Sequence, residues 1–208
     1  MMDSDFVHRF VPASDPDNST TLLLLHGTGG NELQMIPLGQ ELLPGAALLS
    51  VRGKVLENGM PRFFRRFAEG VFDVEDLKFR ASELSGFIDA ARKQYGLENK
   101  KLVAVGYSNG ANIAAGLILL HPHQLPAAVL LRAMVPFKVD SVPNLADTSI
   151  LMNAGRRDLI ASPENVNELA GIFTAGGADV SIHWHNGGHE LGQDDIEAAK
   201  SWLVKPAR

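Results

Sequence analysis

The stretch from residue 101 to residue 120 constrains this chain more than any other. An apolar run, Leu102-Val103-Ala104-Val105, leads into Gly106-Tyr107-Ser108-Asn109-Gly110, and an Ala- and Leu-rich segment of helical character follows at once. A serine between two glycines, at the junction of a buried strand and a helix, is the sequence form of a nucleophile elbow. The turn is so tight that glycines are needed to avoid clashes. It holds the hydroxyl clear of the sheet edge, with a helix N-terminus behind it. In a chain with 20 glycines the five-residue pattern alone says little, so the strand before it and the helix after it carry the specificity.

The remainder of the chain fits a strand–turn–helix grammar. Short apolar runs alternate with longer amphipathic stretches, which predicts an α/β fold with a mostly parallel central sheet and helices on both faces. Strands are expected at 6–11, 21–25, 46–51, 102–105, 127–131, 149–152 and 180–184. The run at 21–25 is continuously apolar rather than alternating, as a strand buried on both faces requires. Helices are expected after the elbow and at about 32–43, 75–95, 163–175 and 194–204. Asn31 is expected to cap the first of these, and Pro37 to lie inside it and kink it. Asp194 and Asp195 read most simply as acidic residues at a helix N-terminus. A long irregular piece fills about 52–73. The connection from Leu131 to Ser149 is too short for a large cap domain. With 208 residues and no internal repeat or linker, the chain reads as a single domain, 1–208.

Composition excludes several classes of function. A net charge of −5 and the lack of a long basic run argue against nucleic acid as a partner. The absence of cysteine removes disulfide scaffolds, thiol nucleophiles and thiolate metal sites, and it fits a reducing compartment. The opening Met1-Met2-Asp3-Ser4-Asp5 lacks the basic and apolar regions of a signal peptide. Apolar runs such as Leu22-Leu23-Leu24-Leu25 are far too short to span a bilayer. A soluble, cytoplasmic protein without membrane insertion is expected. The sequence leaves a homodimer open.

A serine hydroxyl is a poor nucleophile at neutral pH and needs a base, itself oriented by a carboxylate. The expected strand at Ile150-Leu151-Met152 runs into Asn153-Ala154-Gly155-Arg156-Arg157-Asp158, which puts Asp158 in a loop at a strand's carboxyl end. Asp140 and Asp147 lie in the preceding connection and do not directly follow a buried strand. The last strand runs into His185-Asn186-Gly187-Gly188-His189, where two glycines let the loop carry His189 back over the sheet. The order Ser108, Asp158, His189 is that of α/β-hydrolases. His183, His185 and His189 could together suggest a metal site, but no carboxylate-rich motif accompanies them, so no metal or other cofactor is expected. Two backbone donors would complete the site by binding an oxyanion. One is the N–H of Asn109, directly after the nucleophile. The other is the N–H of Thr28 in the glycine-rich His26-Gly27-Thr28-Gly29-Gly30.

These residues carry a family likeness over nearly the whole chain. The sequence resembles the small, cap-less carboxylesterase and phospholipase group of the α/β-hydrolase superfamily, most of all its bacterial branch of hydroquinone-stress hydrolases and related esterases. The most specific matches are Leu25-His26-Gly27-Thr28-Gly29-Gly30, Val51-Arg52-Gly53, Glu57-Asn58-Gly59-Met60-Pro61-Arg62-Phe63-Phe64-Arg65-Arg66, Gly106-Tyr107-Ser108-Asn109-Gly110-Ala111-Asn112 and Gly188-His189. The resemblance implies a Ser108–Asp158–His189 triad, an acyl-enzyme that water hydrolyses, a small-molecule ester substrate and a loop-structuring role for His26. Dienelactone hydrolases, a related group, use cysteine at the elbow; the serine here argues against a dienelactone-type mechanism. Two readings of residues 52–67 remain open: a packed surface loop, or a wall of the substrate cleft with Met60, Phe63 and Phe64 as apolar contacts. A lysophospholipase or thioesterase sharing the triad, and a catalytically silent binding module on the same fold, stand as alternatives to a carboxylesterase.

Overall fold

The computed structural model describes residues 6–204; the Met1-to-Asp5 stretch read above for a leader lies outside them. Along the chain come β1 (His8–Val11), β2 (Thr20–Leu25), α1 (Ile36–Leu42), β3 (Ala47–Val51), β4 (Val55–Glu57), β5 (Met60–Arg62), β6 (Arg66–Ala68) and β7 (Val71–Phe72). There follow α2 (Val74–Gln94), β8 (Lys101–Tyr107), α3 (Asn109–Leu120), β9 (Ala127–Leu131), β10 (Ser149–Gly155), α4 (Pro163–Ala175), β11 (Asp179–His185) and α5 (Gln193–Leu203). Seven strands form one sheet in the order β1-β3-β2-β8-β9-β10-β11. Only β1 is antiparallel to its neighbour; the other pairs are parallel.

Period-2 alternation within the apolar strands feeds two separate cores, because successive side chains point to opposite faces of a sheet. Leu22, Leu24 and Leu48 join Met35 and Leu42 of the α1 region and Ala199 of α5 on one face. Leu23, Leu25 and Leu49 join residues of α2, α3 and α4 on the other. Both faces are covered, as a parallel sheet needs. Every parallel strand therefore ends at the same edge, which is where such sheets bind ligands. Among the described residues no helix is long and apolar enough to cross a membrane, and no strand or helix interrupts the connection between β9 and β10.

Two expectations are corrected. The first helix does not begin near Glu32: α1 starts at Ile36, with Pro37 in its first turn, where a missing N–H costs nothing. Pro37 thus opens the helix instead of kinking it, and Asn31 caps only a local turn, accepting from the Leu33 N–H at 2.9 Å. The irregular piece at 52–73 is in fact two short hairpins, β4–β5 and β6–β7. The first closes through Asn58 and Gly59, with φ of 51° and 78°, the positive pair that a type I′ turn demands.

Candidate active site

The elbow forms because β8 and α3 meet almost without a connection. Ser108 sits between them with φ 51° and ψ −112°, a strained conformation for a residue with a side chain. The flanking glycines are a steric requirement. A Cβ on Gly106 would lie 2.5 Å from the Gly110 carbonyl oxygen, and one on Gly110 would collide with that of Leu25. The Ser108 N–H donates to the Leu131 carbonyl at 2.8 Å, which pins the turn to the end of β9.

The loops after β10 and β11 bring their residues to this point. His189 Nε2 lies 2.9 Å from Ser108 Oγ, in position to accept the hydroxyl proton. On the ring's far side, Nδ1–H donates to Asp158 Oδ2 at 2.8 Å. Asp158 is 3% exposed, and its other oxygen accepts the Ile160 and Ala161 N–H groups at 2.8 and 3.0 Å. The carboxylate is thereby fixed by its own loop before it meets the ring. The structure thus brings together the three side chains singled out in the sequence.

Thr28 and Asn109 border the same cavity as Ser108 and His189, a space of about 230 Å³. The Asn109 amide opens α3 and belongs to the first turn, whose N–H groups have no acceptor within the helix. Its side chain is buried and accepts the Phe63 N–H at 2.7 Å, tying the elbow to the segment between the hairpins. Thr28 is steadied by Arg62, whose Nη1 donates to its Oγ1 at 2.6 Å. His26 is wholly buried below this loop: its Nδ1 faces the Gly27 carbonyl at 2.6 Å, and its Nε2 accepts the Gly53 N–H at 3.0 Å. Burial pushes the ring below the ordinary histidine range, outweighing the opposing effect of the Gly27 carbonyl. His26 therefore joins the loop after β2 to the chain after β3 as a neutral acceptor.

Phe63 and Phe64 do not reach the cavity. They are 2% and 0% exposed and belong to the hydrophobic core, where Phe64 meets Phe72 edge-on. Met60 is half-exposed and packs beside Gly29, outside the lining. Residues 52–67 do border the cavity, but through Arg62 and Arg66, with Phe72 beside them from the next strand. Glu57 is shared by the two arginines, 3.0 Å from Arg66 Nε and 3.5 Å from Arg62 Nη1.

Sequence reasoning missed one buried cluster. Arg132, directly after β9, is fully buried and forks onto Asp195 at 3.0 and 2.6 Å. Asp195 does lie in the first turn of α5, as expected, but its carboxylate serves the arginine as well as the helix. A charged residue directly after a wholly apolar strand was the available signal. His185 also faces this cluster, 2.6 Å from Arg132 Nη2, and so lies apart from the His189 ring's own partners.

The chain is similar to known hydrolases over most of its length. The family model described as "Dienelactone hydrolase family" matches residues 72–199. MhqD of Bacillus subtilis (strain 168) is 45% identical over 185 residues, 89% of this chain and 92% of that protein. The crystal structure of a Bacillus cereus carboxylesterase superposes with a TM-score of 0.92 at 48% identity, covering 96% of this chain and 94% of the other. A carboxylesterase from Mesorhizobium loti gives a TM-score of 0.89 at 31% identity, covering 99% and 98%.

Proposed function

The chain belongs to the dienelactone hydrolase family and is a hydrolase of that carboxylesterase type, and from this premise we propose that it hydrolyses small to medium carboxylic esters through a serine-bound acyl intermediate. The observation that carries the reading is the His189 ring, with Nε2 2.9 Å from Ser108 Oγ and Nδ1 2.8 Å from Asp158 Oδ2. Ser108 Oγ attacks the ester carbonyl carbon while its proton passes to His189 Nε2. The Thr28 and Asn109 amides stabilise the resulting oxyanion, an effect worth ~3 kcal/mol for each such donor. His189 then gives the proton to the departing alkoxide, leaving an acyl-serine. Water attacks that ester with His189 again as base, the acyl–Oγ bond breaks as His189 returns the proton to Ser108, and the acid departs. Asp158 keeps the proton on Nδ1 throughout and stabilises the imidazolium. Family membership does not bring a cysteine mechanism with it, since the chain contains no cysteine.

The cavity favours a compact ester. At about 230 Å³ it falls below the ~300 Å³ at which sites for drug-sized ligands begin, whereas a lysophospholipase or thioesterase needs an acyl-chain channel. Activity across esters of increasing acyl length tests this, with Ser108→Ala as control. Short-chain esters are expected to be turned over best, and Ser108→Ala to lose more than about a thousandfold in kcat. A preference for long-chain esters would overturn the size assignment. An active Ser108→Ala would overturn the mechanism.

A further inference from the structure

We infer that Arg132, locked to Asp195, is a positioning residue that holds His189 in register with Ser108; the inference rests on the base assignment above. Ser108 and Arg132 are neighbours at the carboxyl ends of paired strands, since Tyr107 of β8 lies opposite Leu131 of β9. Both have left-handed backbone, with φ of 51° and 62°. Of the positive-φ residues other than glycine among the described residues, only Asn58, in a hairpin turn, lies elsewhere. Strain of this kind persists only where the surroundings enforce it.

The Ser108 and Arg132 N–H groups are pinned to the Leu131 and Asn153 carbonyls, and the Arg132 side chain is aimed into the loop that carries the base. Arg132 Nε donates to the Gly188 carbonyl at 3.2 Å and Nη2 to the Glu190 carbonyl at 2.7 Å. These are the carbonyls on either side of His189. The carbonyl of His189 itself accepts the Tyr107 hydroxyl at 3.1 Å. Three consecutive carbonyls of a glycine-rich loop are thus held by the strands that deliver the nucleophile. Nη1 also donates to the Asn153 carbonyl at 3.1 Å. With the Asp195 fork this makes five oxygen acceptors for five N–H groups, leaving none for a substrate. Arg132 therefore acts through His189. Asp195 fixes the guanidinium plane and balances a charge that is costly to bury alone.

The test replaces the pair together, Arg132→Met with Asp195→Leu, so that neither charge is left buried without its partner. The measurements are circular dichroism and thermal melting for folding, steady-state kinetics on a short-chain ester, and hydrogen exchange in the 187–190 loop. The expected result is a folded protein whose kcat falls by about 10- to 100-fold, with KM changed less than about twofold and faster exchange confined to the loop. A folded double variant with wild-type kcat overturns the inference. If the double variant does not fold, Asp195→Asn, which keeps the shape and one acceptor, replaces it and must show the same fall in kcat at constant KM. An inactive Ser108→Ala alongside a fully active double variant sinks only this inference. An active Ser108→Ala sinks the reading of the site as well.

Discussion

At the scale of single residues, the site depends on groups fixed before any substrate arrives. Asp158 is an example: two backbone N–H groups hold one oxygen while the other receives the His189 ring. Asp158→Asn keeps the shape and those backbone bonds, but its amide can turn a donor toward Nδ1 and favour the wrong tautomer. A fall of ~10⁴-fold in kcat is expected, with the melting temperature little changed. A drop in stability without one in kcat would make Asp158 a structural residue only. His26 gives a second residue-scale expectation, on stability. Because burial lowers its pKa in the folded state, the native protein takes up this proton less readily than the unfolded chain. The stabilisation is complete above the ordinary histidine value of about 6.5 and is lost as pH falls through the lower folded value. Urea midpoints measured down to about pH 5 should therefore drop more for the native protein than for His26→Asn, which has no such proton to bind. Equal drops would contradict a neutral, buried His26.

At the scale of elements, what the sequence revealed depended on how local the cause was. The parallel strands were legible because burial on both faces forces continuous apolar runs, as in Leu22 to Leu25. The elbow was legible because its sterics exclude a side chain at Gly106 and Gly110. The hairpin at Asn58-Gly59 carried a local signal that went unread beneath the irregular composition around it. Its type I′ turn makes a definite expectation. A Cβ on Gly59 would touch nothing within 4 Å, so Gly59→Ala pays only for left-handed backbone. The loss should be about 1 kcal/mol in chemical denaturation, with an unchanged m-value. No loss at all would mean that the turn does not need φ > 0 there. Phe63 and Phe64 show the opposite case. Whether a loop aromatic faces a cleft or a core is set by distant packing against partners such as Phe72, and nothing local records it. Phe64→Ala is accordingly expected to cost about 3–5 kcal/mol of stability while leaving KM of the folded protein nearly unchanged. A raised KM with intact stability would return Phe64 to the cleft.

At the scale of the whole molecule, a parallel sheet gathers every strand's carboxyl end at one edge. That is how residues as far apart in sequence as Thr28, Ser108, Asp158 and His189 come to one place. Chain order and strand ends were enough to nominate them. For Arg132 and Asp195 only half the signal is local: a charge directly after an apolar strand marks Arg132, but an ion pair between residues 63 positions apart leaves no periodicity that names its partner. The pair joins β9 to α5 across the loop bearing His189, so global fold and local geometry are coupled at the base.

On the proposed mechanism Ser108 is a nucleophile activated by His189. Mass-spectrometric mapping after treatment with a fluorophosphonate, which captures only an activated serine, tests it most directly. One adduct per chain is expected, on the peptide containing Ser108, with labelling abolished by Ser108→Ala and slowed severely by His189→Ala. Folded protein that takes up no label, or label found on another residue, would contradict it.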